Sequence, residues 1–142
     1  MNSTPQRRIE THVEIQLLGA FVSAAKRERY IAFVTSKQRR GDFLSELHHF
    51  RHFDPRWIRK VSGARDSPGG VIRELKQLGA AEECYVISAD RAWDMVRDSL
   101  ELVIEQIYGR VEATIVSCIP ELLAYYEGEG PYNRFILHRP PP

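Results

Sequence analysis

The chain has 142 residues, 43% hydrophobic and 27% charged, with 20 Lys+Arg against 19 Asp+Glu. That length accommodates one domain with a buried core, and the balance of apolar to charged residues excludes a collagen, a coiled-coil rod and an intrinsically disordered chain. Two cysteines, Cys84 and Cys118, both in apolar runs, exclude a disulfide framework and point to a reducing, cytoplasmic compartment.

Residues 1–8 (MNSTPQRR) are polar and expected to fray. From 9 to 79 the pattern is helical. Val13, Leu17, Phe21 and Ala24 recur at about 3.6 residues. The apolar run IQLLGAFVSAA, residues 15–25, falls short of the roughly 20 residues that span a bilayer. Glu10 and Glu14 lie between Arg7-Arg8 and this run, which favours an amphipathic first helix over a signal peptide. KRERYIAFVTS carries a second helix, with Tyr30, Ile31 and Val34 as its apolar side. Ser36 can cap a third over 37–51. Asp54-Pro55 is a cap-plus-proline start for a short helix over 55–61, and Ser67-Pro68 repeats that logic for a helix near 68–78 that Gly79 ends.

The second half changes period. CYVIS (84–88) predicts a strand, and DRAWDMVRDSLELVIEQIYG (90–109) predicts a long helix, with Trp93, Val96, Leu100, Val103, Ile104 and Ile107 on one face. Strands are expected over 111–119, 122–129 and 133–139, with GEGP as a turn and PPP as a stiff tail. The expected architecture is a single α+β domain, with N-terminal helices packed on a small C-terminal mixed sheet of order β-α-β-β-β. Strands 84–88 and 111–118 would be parallel around a right-handed crossover helix, and the last three would form an antiparallel meander.

Charge divides unevenly. Residues 1–66 hold 13 Lys+Arg and 7 Asp+Glu; residues 67–142 hold 7 and 12. On a helix over 90–109, Asp94, Asp98, Glu101 and Glu105 form an acidic stripe, a candidate face for a basic partner or for the basic half of the same fold. Met95 and Leu102 would lie on a third side, buried or in an oligomer contact. Arg39, Arg40, Arg51, Arg56, Arg59 and Lys60, near Tyr30 and Trp57, supply the cations and aromatics that an anion or nucleic-acid surface needs. The pI of about 7.8 is low for a dedicated nucleic-acid domain.

Three histidines fall within residues 48–52. On one helix His48 and His52, four apart, project together and can grip a metal, but a catalytic zinc needs a third ligand from elsewhere. Helix-end histidines also suit the helix dipole without any function. No phosphate-binding loop, dinucleotide fingerprint, nucleophile elbow, H-E-x-x-H or C-x-x-C is present, so no cofactor is predicted. Cys118, among apolar neighbours, reads as an inert core thiol. The helix start at SPGG (67–70) has free N–H groups that can hold an anion.

SCIPELLAYYEGEGPYNRFIL (117–137), with ELHHFRHFDPRW upstream, resembles segments of small bacterial proteins in families of unknown function. The resemblance implies a bacterial cytosolic domain and supplies no activity or catalytic residue. The leading expectation is a non-enzymatic module that binds a partner protein, with no membrane span and with homo-oligomerisation open. The alternatives are a nucleic-acid-associated protein using the basic helices and a small metal-dependent hydrolase or nuclease near His48 and His52.

Overall fold

The structure, a computed structural model, describes residues 6–110, 112–130 and 133–141. The expected frayed start at 1–5, Val111 of the expected strand, Pro131 of the expected turn and Pro142 of the tail lie outside the described residues. The elements in chain order are β1 (Gln6–Arg7), α1 (Thr11–Phe21), α2 (Ala24–Thr35), α3 (Arg40–Glu46), β2 (Ile58–Lys60), α4 (Pro68–Gln77), β3 (Glu83–Ser88), β4 (Val96–Ser99), α5 (Leu100–Ile107), β5 (Thr114–Ile119), β6 (Leu123–Glu127) and β7 (Arg134–His138). The class is α+β. No helix among the described residues is long and apolar enough to cross a membrane.

One sheet of seven strands runs β1-β4-β3-β5-β6-β7-β2. Every pairing is antiparallel, so the mixed sheet with a parallel crossover is corrected. The difference arises at residues 90–99. A helical turn does begin there: the Asp90 carbonyl accepts from the backbone N–H groups of Trp93 and Asp94, each at 3.0 Å. Met95 then takes a φ of 64°, outside the helical region, and its N–H donates to the Val86 carbonyl at 2.8 Å. The chain has turned back on β3. Arg97 pairs with Tyr85, Asp98 with Cys84 and Ser99 with Glu83. Val96 and Leu100 are four apart and both buried, which imitates a helical stripe, yet only Leu100 is on the helix. Ser99 caps α5, its hydroxyl accepting from the Leu102 N–H at 3.1 Å.

Two further strands come from segments not expected to be strands, one from the expected frayed start and one from the part expected to be helical. Gln6–Arg7 pairs with β4, so this section of the expected frayed segment is ordered into the sheet. The restart at Asp54-Pro55 yields only one 3-10 turn, Pro55–Trp57, before β2 joins β7. Ser67 caps α4 as expected, with its hydroxyl 2.9 Å from the Gly70 N–H. A Cβ at Gly70 would stand 2.5 Å from the Arg65 carbonyl oxygen, so close packing explains that glycine without an anion.

The sheet is covered on both faces. Tyr85, Ile87, Ile115, Ala124, Tyr126 and Leu137 pack under α1–α3; Cys84, Val86, Val116, Leu123, Tyr125 and Ile136 pack under α4 and α5. Alternation along the strands sends successive residues to opposite layers, except at the end of β5, where a register shift between Ser117 and Ile119 puts Cys118 and Ile119 in one layer. Because neither layer is solvent, the strands read as continuous apolar runs, a pattern more usual for parallel sheets.

One guanidinium ties the α1–α3 layer to the sheet. Arg40, at the start of α3, meets Glu14 of α1 at 2.5 and 2.8 Å and Asp94 of the β3–β4 turn at 2.9 and 3.1 Å. Glu14 is fully buried, and it also accepts from the Tyr85 hydroxyl at 2.6 Å. Asp94 accepts from the Ser88 N–H at 3.0 Å. Burial alone would weaken the Arg40 cation, but its hydrogen bonds to the two carboxylates outweigh that and hold its pKa above the ordinary value. Arg40→Met strands two buried carboxylates. We expect it to lower unfolding free energy by about 3–5 kcal/mol in urea titrations.

One strand in from the sheet edge, Arg97 of β4 grips Glu10 through two bonds of 2.6 and 2.7 Å. The Arg97 hydrogen bonds hold the Glu10 carboxyl below its ordinary 4.5. A depressed carboxylate stabilises the fold fully above the unfolded value and loses that contribution as pH falls through the folded one. The urea midpoint of the wild type should therefore fall more steeply on acidification below pH 4.5 than that of Glu10→Gln.

Candidate functional site

The structure scatters the acidic candidates. Asp94 is interior, on Arg40. Asp98 lies on β4, where its carboxylate accepts from the Ser99 N–H at 2.7 Å. Glu101 of α5 pairs with Lys76 of α4, and Glu105 is exposed on α5. No single helix carries the four, because β4 takes Asp98 and the turn takes Asp94.

The basic candidates are likewise divided. Arg40 is internal. Arg39 lies over the Phe33 ring, with its guanidinium carbon 4.4 Å from the centroid. Arg56 chelates Asp54, with its closest contact at 2.7 Å, and sits 4.9 Å from the Trp57 centroid. Arg59 pairs with Glu74 of α4 at 2.7 Å. Arg51 is exposed beside a small pocket that His49 and His52 also line, and Lys60 is exposed on β2. Three of the six thus already hold carboxylates.

The histidines do not share a helix. α3 ends at Glu46, Leu47–His49 is a 3-10 turn, and His52 follows outside any helix or strand. His48 Nδ1 lies 3.5 Å from the Ser45 carbonyl, while His52 packs beside Tyr30 and Phe50, each ring 5.7 Å away. No group of three His, Cys, Asp or Glu able to hold a metal occurs among the described residues. The backbone of this segment instead holds the β6–β7 hairpin. The Tyr126 hydroxyl donates to the Leu47 carbonyl at 2.5 Å, and the Glu129 N–H to the His48 carbonyl at 2.9 Å. A Cβ on Gly128 would overlap the Tyr126 hydroxyl and press on that same carbonyl, so glycine permits the approach.

A second buried constellation also proves structural. Glu127 accepts from the Tyr125 hydroxyl and the Gly109 N–H, both at 2.7 Å, and from Arg134 at 3.2 Å. Burial raises its pKa, and those three partners only partly oppose it. A raised carboxyl often marks an active site. Here its oxygens are occupied by the link between the end of α5 and the hairpin. Burial also pushes the Cys84 thiol up to about 12 and the Cys118 thiol well above its ordinary value, so neither is an activated nucleophile.

What the fold does assemble is a groove of about 610 Å³ at one end of the sheet. Ile15, Gln16, Gly19 and Ala20 of α1 form one wall. Glu121 and Leu122 of the β5–β6 turn, with Arg139 and Pro140 beyond β7, form the other, and Trp57 adjoins both. Arg139 bridges the walls. Its backbone N–H donates to the Leu122 carbonyl at 2.9 Å, and its guanidinium donates to the Ala20 carbonyl at 3.3 Å while lying 5.3 Å from the Trp57 centroid. The volume is that of a ligand pocket rather than a packing defect.

Two residues of this groove go against local preference. Gly19 sits within α1, where alanine is favoured by about 1 kcal/mol. Sterics do not require glycine, since a Cβ there would meet nothing within 4 Å. Glu121 has a φ of 69°. It follows Pro120 in a turn closed by the Leu122 N–H on the Ile119 carbonyl at 3.0 Å, which is the arrangement of a type II turn, whose third position favours glycine. So glycine stands where a side chain would fit, and a side chain stands where glycine would fit. Such exceptions concentrate at functional sites. Of the groove residues, sequence reasoning singled out only Trp57, as an aromatic near the basic cluster. The readable signals were a glycine inside a helical run and a Pro-x turn without glycine.

No protein-family model, no curated protein and no solved structure matches the chain. Gly19→Ala and Glu121→Gly should each raise stability by about 0.5–1 kcal/mol in chemical denaturation, because each restores what the local backbone prefers.

Proposed function

We propose that this protein is a binding module that takes an apolar segment of a partner protein in the α1 groove and performs no chemistry of its own. The observation that carries this reading is the convergence of Gly19 and Glu121 on one groove. A bare helix wall lets a ligand chain lie close against α1, and the missing side chain there costs the fold some stability. Ile15, Ala20, Leu122 and Trp57 supply an apolar lining, with a few polar groups at its edges, which is the composition of a recognition cleft. The nucleic-acid reading has less support, because Arg40, Arg56 and Arg59 are held by carboxylates of the same chain. For the hydrolase reading, no converging set of metal ligands and no activated thiol occurs among the described residues.

The test is selection of a random-peptide library displayed on phage against the immobilised protein. Enrichment of peptides with apolar residues is expected. It should be lost on Gly19→Leu, whose side chain fills the groove from a position with free space around it. Enrichment that survives Gly19→Leu, or none at all, would defeat the reading. Heparin binding by the same preparation that weakens steeply with salt would favour the nucleic-acid alternative instead.

A further inference from the structure

We infer that the groove reads charge as well as shape: its occupant is a polypeptide segment with an apolar residue against Gly19 and Ala20, an acidic side chain toward Arg139 and a basic side chain toward Glu121. This rests on the binding role proposed above. The observation behind it is that an acid and a base sit close together without pairing. Arg139 and Leu122 are joined through their backbones, so Arg139 and Glu121 emerge from adjacent chain segments. Opposite charges so placed ordinarily attract. Here the Arg139 guanidinium forms no ion pair with Glu121; it lies beside Trp57 and donates to the Ala20 carbonyl. Among the described residues, neither side chain has an ion-pair partner, and both are exposed in the groove.

Several other arginines hold carboxylates, whereas Arg7, Arg27 and Arg110, like Arg139, reach a backbone carbonyl. Arg40 holds Glu14 and Asp94, Arg97 holds Glu10, Arg59 holds Glu74 and Arg134 holds Glu127 and Asp66. Arg139 has one N–H engaged out of the five that a guanidinium offers, which leaves a face able to take a carboxylate through two parallel bonds. Glu121 is held at the groove by a turn that its own φ disfavours. A carboxylate there accepts only, so its complement is an ammonium or guanidinium. Two unlike charges beside an apolar wall also give the site a direction. A segment laid in reverse would set like charge against like, and that discrimination is the usual contribution of charge in an interface.

The experiment uses peptides from the phage selection whose enrichment depends on Gly19, synthesised with both ends blocked and titrated by fluorescence anisotropy. Those peptides should carry an acid and a base around an apolar residue. Arg139→Glu should weaken their binding about tenfold or more. A peptide with lysine in place of its acid should recover that loss on Arg139→Glu and bind the wild type poorly. Glu121→Arg should behave reciprocally with the peptide's base, and rescue by the swapped peptides shows that both variants are folded. If Gly19-dependent peptides bind both charge-reversed variants within twofold of the wild type, the charge reading is wrong while the groove reading stands. If only peptides with free ends bind, the charges contacted are chain termini and the side-chain assignment is wrong. If no Gly19-dependent peptide is found, both readings fall.

Discussion

The contact on which the rest depends is the Arg40 guanidinium between Glu14 and Asp94. α1, α3 and the β3–β4 turn are far apart in the chain, and this cation joins all three at hydrogen-bond distance. A buried ion pair gains little net stability over an apolar substitute, but losing one partner is costly, which makes it a device for specifying one arrangement. Here the arrangement is the seating of α1 on the sheet. Tyr85 extends the link from Glu14 into β3, and the Ser88 N–H on Asp94 holds the turn. Since α1 forms a wall of the groove, the same contact places Gly19 opposite Glu121 and Leu122.

Covering both sheet faces follows from composition as much as from topology. Each strand sends alternate side chains to two apolar layers, and helices from both parts of the chain supply the cover. Two segments far apart in the chain, around residues 46–57 and 117–137, meet in this fold. Phe53 packs on Tyr126 with centroids 5.1 Å apart, and His49 pairs with Glu129 at 2.8 Å. That contact braces the hairpin whose opposite end, with the β5–β6 turn, shapes the groove. A structural role for the histidine-rich stretch thus follows from its backbone carbonyls, with its imidazoles at the periphery.

At the groove two residues depart from local preference, as Met95 also does in the β3–β4 turn with its φ of 64°. Elsewhere Gly70 and Gly128 answer a steric need, while Gly41 of α3 and Gly69 of α4 would, like Gly19, take a Cβ without a close contact. Gly19 answers none inside the folded chain, and Glu121 keeps a side chain at a backbone angle suited to glycine. Among the described residues, the buried carboxylates are satisfied by arginine, tyrosine or backbone donors. Recognition at this surface cleft is the use we propose for the arrangement.

The amino-acid sequence by itself determined the local signals: the caps at Ser67 and Asp54, the helices α1, α2 and α4, the core strands β3, β5, β6 and β7, and an α+β class. These depend on neighbours in the chain, through capping hydrogen bonds, periodicity and turn chemistry. Only the tertiary structure decided the rest. Residues 90–99 satisfy a helical spacing and a hairpin equally well, and pairing with β3 broke the tie. Two short strands, β1 and β2, exist because an open sheet edge offered them partners. The same long-range pairing dispersed the acidic stripe, the basic cluster and the histidine pair, each of which presumed a continuous helix. It brought together a helix glycine, a turn glutamate and a C-terminal arginine that are more than a hundred residues apart at their extremes. Side chains that meet across such separations do so through packing and strand register, which no local pattern records.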